Sequence, residues 1–140
     1  MVLFGGVDLA SELRCSPDWE PLLYARQRVI HAAASTGIDV MDMPYLHFAD
    51  TAGLLREASA AAHIGFTGKA AIHPTQLSSI HEAFTPTEEQ FWEAEKMLQA
   101  YLQSLTGATV LDGRLVEKPV IDRMTRIVNI FNLAKKMEKN

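Results

Sequence analysis

Apolar residues along the chain fall into short continuous runs separated by stretches with helical spacing. The opening run Met1-Val2-Leu3-Phe4-Gly5-Gly6-Val7-Asp8 breaks at two glycines and then a carboxylate, which predicts a buried parallel strand. After a loop holding Cys15, Ser16, Pro17 and Asp18, apolar residues at Leu22, Leu23, Val29, Ile30 and Ala33 predict a helix from Trp19 to Ser35, stopped by Gly37. Ile38 to Asp42 reads as a second strand, again ending in an acid, and Pro44 prevents its continuation. Asp50 is placed to cap a helix from Thr51 to Gly65. Lys69 to Ile72 is a third strand, closed by His73-Pro74. The strand starts at Val2, Ile38 and Ala70 lie 36 and 32 residues apart, a βα rhythm that predicts a parallel sheet with every strand end on one side.

Further along, Thr85-Pro86-Thr87-Glu88 reads as a capping box with proline at the first helical position. A long helix should run from there to Leu105 and stop at Gly107. A brief extended piece from Ala108 to Leu111 and a turn at Asp112-Gly113 lead to Pro119. Val120, Met124, Ile127, Phe131 and Ala134 then mark a last amphipathic helix with a basic end.

Composition narrows the function classes. With 48% hydrophobic and 21% charged residues in 140, the chain reads as an ordinary globular protein. A formal net charge of −4 supplies no basic stripe, so nucleic acid is excluded as the expected partner. Apolar runs of a few residues are too short to span a bilayer. One cysteine, Cys15, makes neither an intrachain disulfide nor a thiolate cluster, and no signal peptide opens the chain, so the expected compartment is the cytoplasm.

In a parallel arrangement Asp8, Asp42 and His73 all fall just past the carboxyl ends of their strands, where ligands gather in α/β folds. Carboxylates there suit Mg²⁺ or Mn²⁺, which hold a substrate carboxylate and stabilise developing negative charge on oxygen. The alternative for each aspartate is a cap on the next loop or helix. Gly5 and Gly6 favour the site reading of Asp8, because they leave room for a substrate beside the backbone. His73, held extended by Pro74, reads either as a substrate contact or as a satisfied structural histidine. His31, His47, His63 and His81 show no metal-ligand spacing, and no Walker, GxGxxG, GxSxG or HExxH motif is present.

Several stretches together resemble a known family. Leu3-Phe4-Gly5-Gly6-Val7-Asp8-Leu9-Ala10, Tyr24-Ala25-Arg26, Gly37-Ile38-Asp39-Val40-Met41-Asp42 and Gly65-Phe66-Thr67-Gly68-Lys69-Ala70-Ala71-Ile72-His73-Pro74 stand in the order seen in the citrate lyase beta subunit family. That HpcH/HpaI aldolase-like family includes the malyl-CoA and citramalyl-CoA lyases. The resemblance continues through Phe84-Thr85-Pro86 and Asp112-Gly113-Arg114-Leu115-Val116-Glu117-Lys118-Pro119.

The resemblance implies the C-terminal part of a (β/α)₈ TIM barrel with a helical C-terminal extension. Residues 1–84 would be the last βα units, and 85–140 a helix and lid-like segment without domain independence. It implies Mg²⁺-dependent cleavage of a C–C bond in a 3-hydroxyacyl thioester, giving an acetyl or propionyl thioester and a 2-oxo acid. Asp8 would be a metal carboxylate, Gly6, Asp42, Pro44 and His73 would line the substrate, and Glu117 would be the acid delivered to a neighbouring subunit's reacting carbon. Relatives usually carry aspartate at that last position, and glutamate moves a proton donor by about 1.5 Å.

The family's second metal carboxylate and its substrate arginine lie upstream of the Gly5-Gly6-Val7-Asp8 motif. A barrel needs eight strands and about 250 residues, so the resemblance implies a partial chain that completes its site with an N-terminal polypeptide or as an oligomer. The substrate would be carried on CoA or on an acyl-carrier protein. Two other readings stand beside it: a non-catalytic remnant or assembly module, and a thioester hydrolase on the same scaffold with Glu117 as base.

Overall fold

Val2–Leu3 forms the first strand, β1, in a computed structural model that describes residues 1–104 and 107–137. The apolar run does not continue as strand. Phe4 turns into the core, and Gly6–Leu13 forms a short helix, α1, so Asp8 lies in a first helical turn and not at a strand tip. Arg14 ends that helix in a left-handed conformation, with φ 56°. Helix α2 covers Trp19–Ala34, strand β2 Val40–Asp42, helix α3 Thr51–Ile64 and strand β3 Gly68–Lys69.

The three strands are parallel and stand in chain order, β1-β2-β3, with Leu3 opposite Met41 and Asp42 opposite Lys69. Each is shorter than the sequence pattern predicts, although the Ala70 amide extends the ladder by donating to the Asp42 carbonyl. Asp50 caps α3 as expected, accepting from the Gly53 amide at 2.8 Å, and Gly65 at φ 114° ends it. A 3₁₀ turn at Pro74–Gln76 leads into helix α4, Leu77–Phe84, which the sequence reading did not anticipate.

The chain divides into two compact units, Met1–Phe84 and Thr85–Asn140. In the first, Phe4, Leu22, Val40, Met43, Ala61 and Phe66 form one buried cluster between the sheet and its helices. Fully burying side chains of this size contributes about 1.5–3 kcal/mol apiece, which is what holds so short a sheet together.

In the second unit, helix α5 runs Glu88–Leu102. Its cap is Thr87 and not Thr85: the Thr87 hydroxyl accepts from the Gln90 amide at 3.2 Å, and Gln90 Oε1 accepts from the Thr87 amide at 2.9 Å. The expected end at Leu105 lies outside the described residues. Ala108–Leu111 (β4) pairs antiparallel with Arg114–Glu117 (β5), a second strand that the pattern did not reveal. Asp112 and Gly113, at φ 50° and 75°, give the two left-handed residues that a tight hairpin requires. Helix α6, Lys118–Met137, packs Met124 with Ala94, Met97 and Val116. Among the described residues no helix is long and apolar enough to cross a membrane.

Candidate functional site

Parallel strands place the segments after β1, β2 and β3 on one edge of the first unit, and three contacts tie these segments together. Gly6 is buried, and a Cβ there would collide with the Met43 sulfur and the Phe4 ring, so the turn after β1 sits directly on the segment after β2. Gln76 joins the segments after β2 and β3, its Nε2 donating to the Tyr45 carbonyl at 2.8 Å. The His73 ring stacks on Phe48, with centroids 5.3 Å apart and planes 25° from parallel.

Asp8 is exposed at this edge, with no side-chain hydrogen bond or ion pair among the described residues. A carboxylate spared from structural duty is available to a cation. No group of three or more His, Cys, Asp or Glu among the described residues is arranged to hold a metal, so Asp8 is not part of a complete set of protein ligands there. Mg²⁺ commonly takes one or two carboxylates and completes its shell with water and substrate oxygens, so Asp8 fits one corner of such a set.

Asp42 is differently placed. Its side chain is fully buried, with Arg26 Nε donating to Oδ1 at 2.9 Å and Lys69 Nζ to Oδ2 at 2.7 Å. Lys69 also reaches Glu57 Oε1 at 2.7 Å, and Arg26 Nη2 lies 3.8 Å from the same oxygen. Two cations thus meet two carboxylates beneath the strand ends. The Arg26 guanidinium is flanked by the rings of Trp19 and Phe4, at 4.6 and 5.5 Å from their centroids, and its buried Nη2 makes no hydrogen bond. Arg26, Glu57 and Lys69 were not singled out from the sequence for any role. The available signal was an arginine within the apolar stripe of a helix, between Leu22 and Ile30, which has to find a buried counter-charge.

Pro44 is half-buried and lines a small cavity of about 30 Å³ with Pro17, Asp18, Met43, Tyr45 and Glu57, enough for a water molecule. The Tyr45 hydroxyl donates to Asp50 Oδ2 at 2.9 Å. Burial, then this hydrogen bond to Asp50, raises the Tyr45 hydroxyl above its ordinary value of 10.0. The Gly53 amide, then Tyr45, holds Asp50 below its usual 3.8.

Glu117 belongs to the second unit, as the last residue of β5 and opposite Ala108. It is exposed, and its side chain has no partner among the described residues. Its neighbour Val116 is fully buried and anchors the strand end. A cleft of about 300 Å³, lined in part by Met97, Arg114, Val116, Arg123 and Met124, opens beside β5; nothing in the sequence pattern pointed to it.

Residues 1–74 match the family model described as HpcH/HpaI aldolase/citrate lyase. Among curated proteins, the chain is 34% identical over 139 residues to mitochondrial citramalyl-CoA lyase of Rattus norvegicus, an alignment covering 96% of this chain and 41% of that protein. It is 32% identical over 138 residues to citrate lyase subunit beta of Escherichia coli strain K12, covering 95% of this chain and 46% of that one. The chain therefore spans less than half the length of these relatives. Among solved structures it resembles CitE from Mycobacterium tuberculosis in complex with magnesium, acetoacetate and coenzyme A, with a TM-score of 0.81 and 26% identity over 93% of this chain and 51% of that one.

Proposed function

The chain belongs to the HpcH/HpaI aldolase/citrate lyase family, and from that premise we propose that it is the C-terminal portion of a Mg²⁺-dependent lyase that splits a C–C bond in a 3-hydroxyacyl thioester. Citryl, malyl and citramalyl thioesters are the substrate class, and an acetyl or propionyl thioester and a 2-oxo acid are the products. The observation that carries this reading is Asp8: an exposed carboxylate in the first turn of α1, just past the glycine that follows β1, with no side-chain partner among the described residues, at the edge where three parallel strands end. The lyase names of the relatives and the magnesium and coenzyme A in the M. tuberculosis structure agree with it. Mn²⁺, which also accepts octahedral oxygen coordination, would substitute.

Each residue then has a role set by its surroundings. Asp8 contributes one metal ligand, and bound Mg²⁺ would supply Lewis acidity to the alkoxide and the emerging carbonyl. Gly6 keeps the backbone low enough for the acid portion of the substrate to lie over it. His73 contacts the substrate from the segment after β3, and Pro44 shapes the wall after β2. Asp42, with both oxygens already engaged, acts through the position of Lys69 and the strand ends, and direct contact would require one ion pair to open. Glu117, on the hairpin of the second unit, protonates the departing thioester enolate in a neighbouring subunit's site.

The three strands are the last of an eight-stranded barrel in this reading, with 85–140 as a segment that covers a neighbouring subunit's site. One carboxylate without a clamping arginine for the substrate does not hold Mg²⁺ and a dianionic substrate in register, so the chain acts with an N-terminal polypeptide or within an oligomer. Co-purification under Mg²⁺ with the polypeptide that supplies the missing half, followed by assays on malyl-, citramalyl- and citryl-CoA and the corresponding acyl-carrier-protein thioesters, tests it. A 2-oxo acid product is expected. A stable complex that cleaves none of these thioesters would overturn the proposal.

A further inference from the structure

The hydrogen bonds around His73 fix more than its position. The Thr75 backbone amide, which can only donate, points to His73 Nδ1 at 3.3 Å. Nδ1 therefore keeps its lone pair, and the Thr75 hydroxyl, 2.8 Å from the same nitrogen, must also present its hydrogen to it. In the neutral ring the proton is left on Nε2. Stacking on Phe48 sets the plane of the ring. The backbone that carries it is clamped as well, since Gln76 Oε1 accepts from the amides of Ile72 at 2.8 Å and His73 at 3.3 Å while Gln76 Nε2 holds the Tyr45 carbonyl. Gln76 itself is 1% exposed, whereas His73 is exposed at the strand-end edge.

A ring held in this way is a directed N–H donor and a poor general base, because its only basic nitrogen is already engaged twice. We infer that His73 acts as a neutral Nε2–H donor to an acyl oxygen of the bound substrate, with Thr75 and Gln76 as the positioning residues that fix its tautomer and place. This rests on the lyase reading for the identity of the substrate, though not for the state of the ring. A preorganised donor aimed at an oxygen that gains charge strengthens its bond as the charge develops, and it pays no reorganisation at that moment.

Two measurements test the inference. The first is a ¹H–¹⁵N correlation of the imidazole nitrogens in the ¹⁵N-histidine-labelled chain at mildly alkaline pH, with His73 assigned among the five histidines by its loss in His73→Gln. A protonated Nε2 and a bare Nδ1 are expected, and Thr75→Val should move the ring toward a mixture of tautomers. The reverse tautomer, or a rapid average in the unmodified chain, would overturn the assignment, whatever the enzyme does.

The second is thioester cleavage by the complex with the N-terminal half. His73→Leu should lower kcat/KM by about 10²-fold or more, and His73→Gln, which keeps a side-chain N–H near the place of Nε2, should recover a large part of that loss. An unchanged rate in His73→Leu, or a glutamine variant as poor as the leucine one, would remove His73 from the reaction. Should His73→Leu fail to assemble, the glutamine variant and the nitrogen shifts decide. A wild-type complex that assembles and cleaves nothing sinks the lyase reading and the substrate role of His73 together, while the shifts still report the donor state.

Discussion

The guanidinium of Arg26 and the carboxylate of Asp42 meet at 2.9 Å with neither side chain exposed. Removing one member leaves the other charged, buried and short of a partner, which costs about 3–5 kcal/mol. Asp42→Ala should therefore lower the urea midpoint of the first unit severely. A loss no larger than that of an exposed control substitution would show that the quartet with Glu57 and Lys69 does not form in solution.

Asp8 should behave in the opposite way. Its side chain is exposed and supports nothing among the described residues, so Asp8→Asn should leave the urea midpoint unchanged and abolish Mg²⁺-dependent cleavage in the completed enzyme. Retained turnover would take Asp8 out of the metal site. A large drop in stability would mean that its role is structural.

The contrast between these two aspartates shows how far sequence alone reaches. Both end an apolar run, and both read as strand-end acids. One is a free carboxylate and the other the centre of a buried charge cluster, and the difference is made by Arg26 and Lys69, which lie 16 and 27 residues from Asp42. No local pattern reports contacts of that span. Parallel pairing was legible from the βα rhythm, and the Asp50 cap from its spacing to Thr51. Helix α1 was not, since Gly5 at its start gives no side-chain cap and its apolar residues merge with those of β1. Helix α4 escaped because its lead-in turn is capped by a histidine, a residue seldom read as a start signal. The α5 start shows a different limit: Thr85 with Glu88 and Thr87 with Gln90 satisfy one motif equally, and only the reciprocal bonds of the second pair decide.

Gly6→Ala weighs two opposed effects. Alanine is favoured over glycine by about 1 kcal/mol in a helix interior and by less at a first helical position such as Gly6, but the new methyl group would meet the Met43 sulfur and the Phe4 ring, and overpacking of this kind costs about 1–3 kcal/mol. The clash should win, and because it pushes apart the segments after β1 and β2, cleavage by the completed enzyme should fall more than stability does. Thermal melts beside steady-state assays separate the two. A stabilised variant with full activity would contradict the close approach at this turn.

Asp50 gives the acid limb of stability a specific source. Its carboxylate, held below 3.8 by the Gly53 amide and Tyr45, binds its proton more weakly when folded than when unfolded. Its contribution is present above the unfolded value and is lost as pH falls through the lower, folded one. Urea midpoints of the wild type should therefore drop below about pH 4, and Asp50→Asn should flatten that part of the profile. The raised Tyr45 hydroxyl works at the other end, and its share is lost as pH climbs past 10.0 through the folded value. Superimposable profiles for wild type and Asp50→Asn would refute the assignment.

Glu117→Gln tests the second unit. The side chain is exposed and unpartnered among the described residues, so stability should not change, whereas kcat should fall by about 10²-fold or more if glutamate protonates the enolate. KM should move little. An unaffected kcat would return Glu117 to a favourable charge ahead of α6.

The four members of the buried ionic cluster come from four successive elements: Arg26 from α2, Asp42 from β2, Glu57 from α3 and Lys69 from β3. A folding chain that has docked three of these elements without the fourth holds an unbalanced charge out of water, and that penalty is relieved only when the last one arrives. Partly assembled forms of the first unit are thereby depopulated, and opening any one of the four elements exposes the rest. The cluster thus makes the supports of the strand-end edge assemble, and come apart, in a single cooperative step.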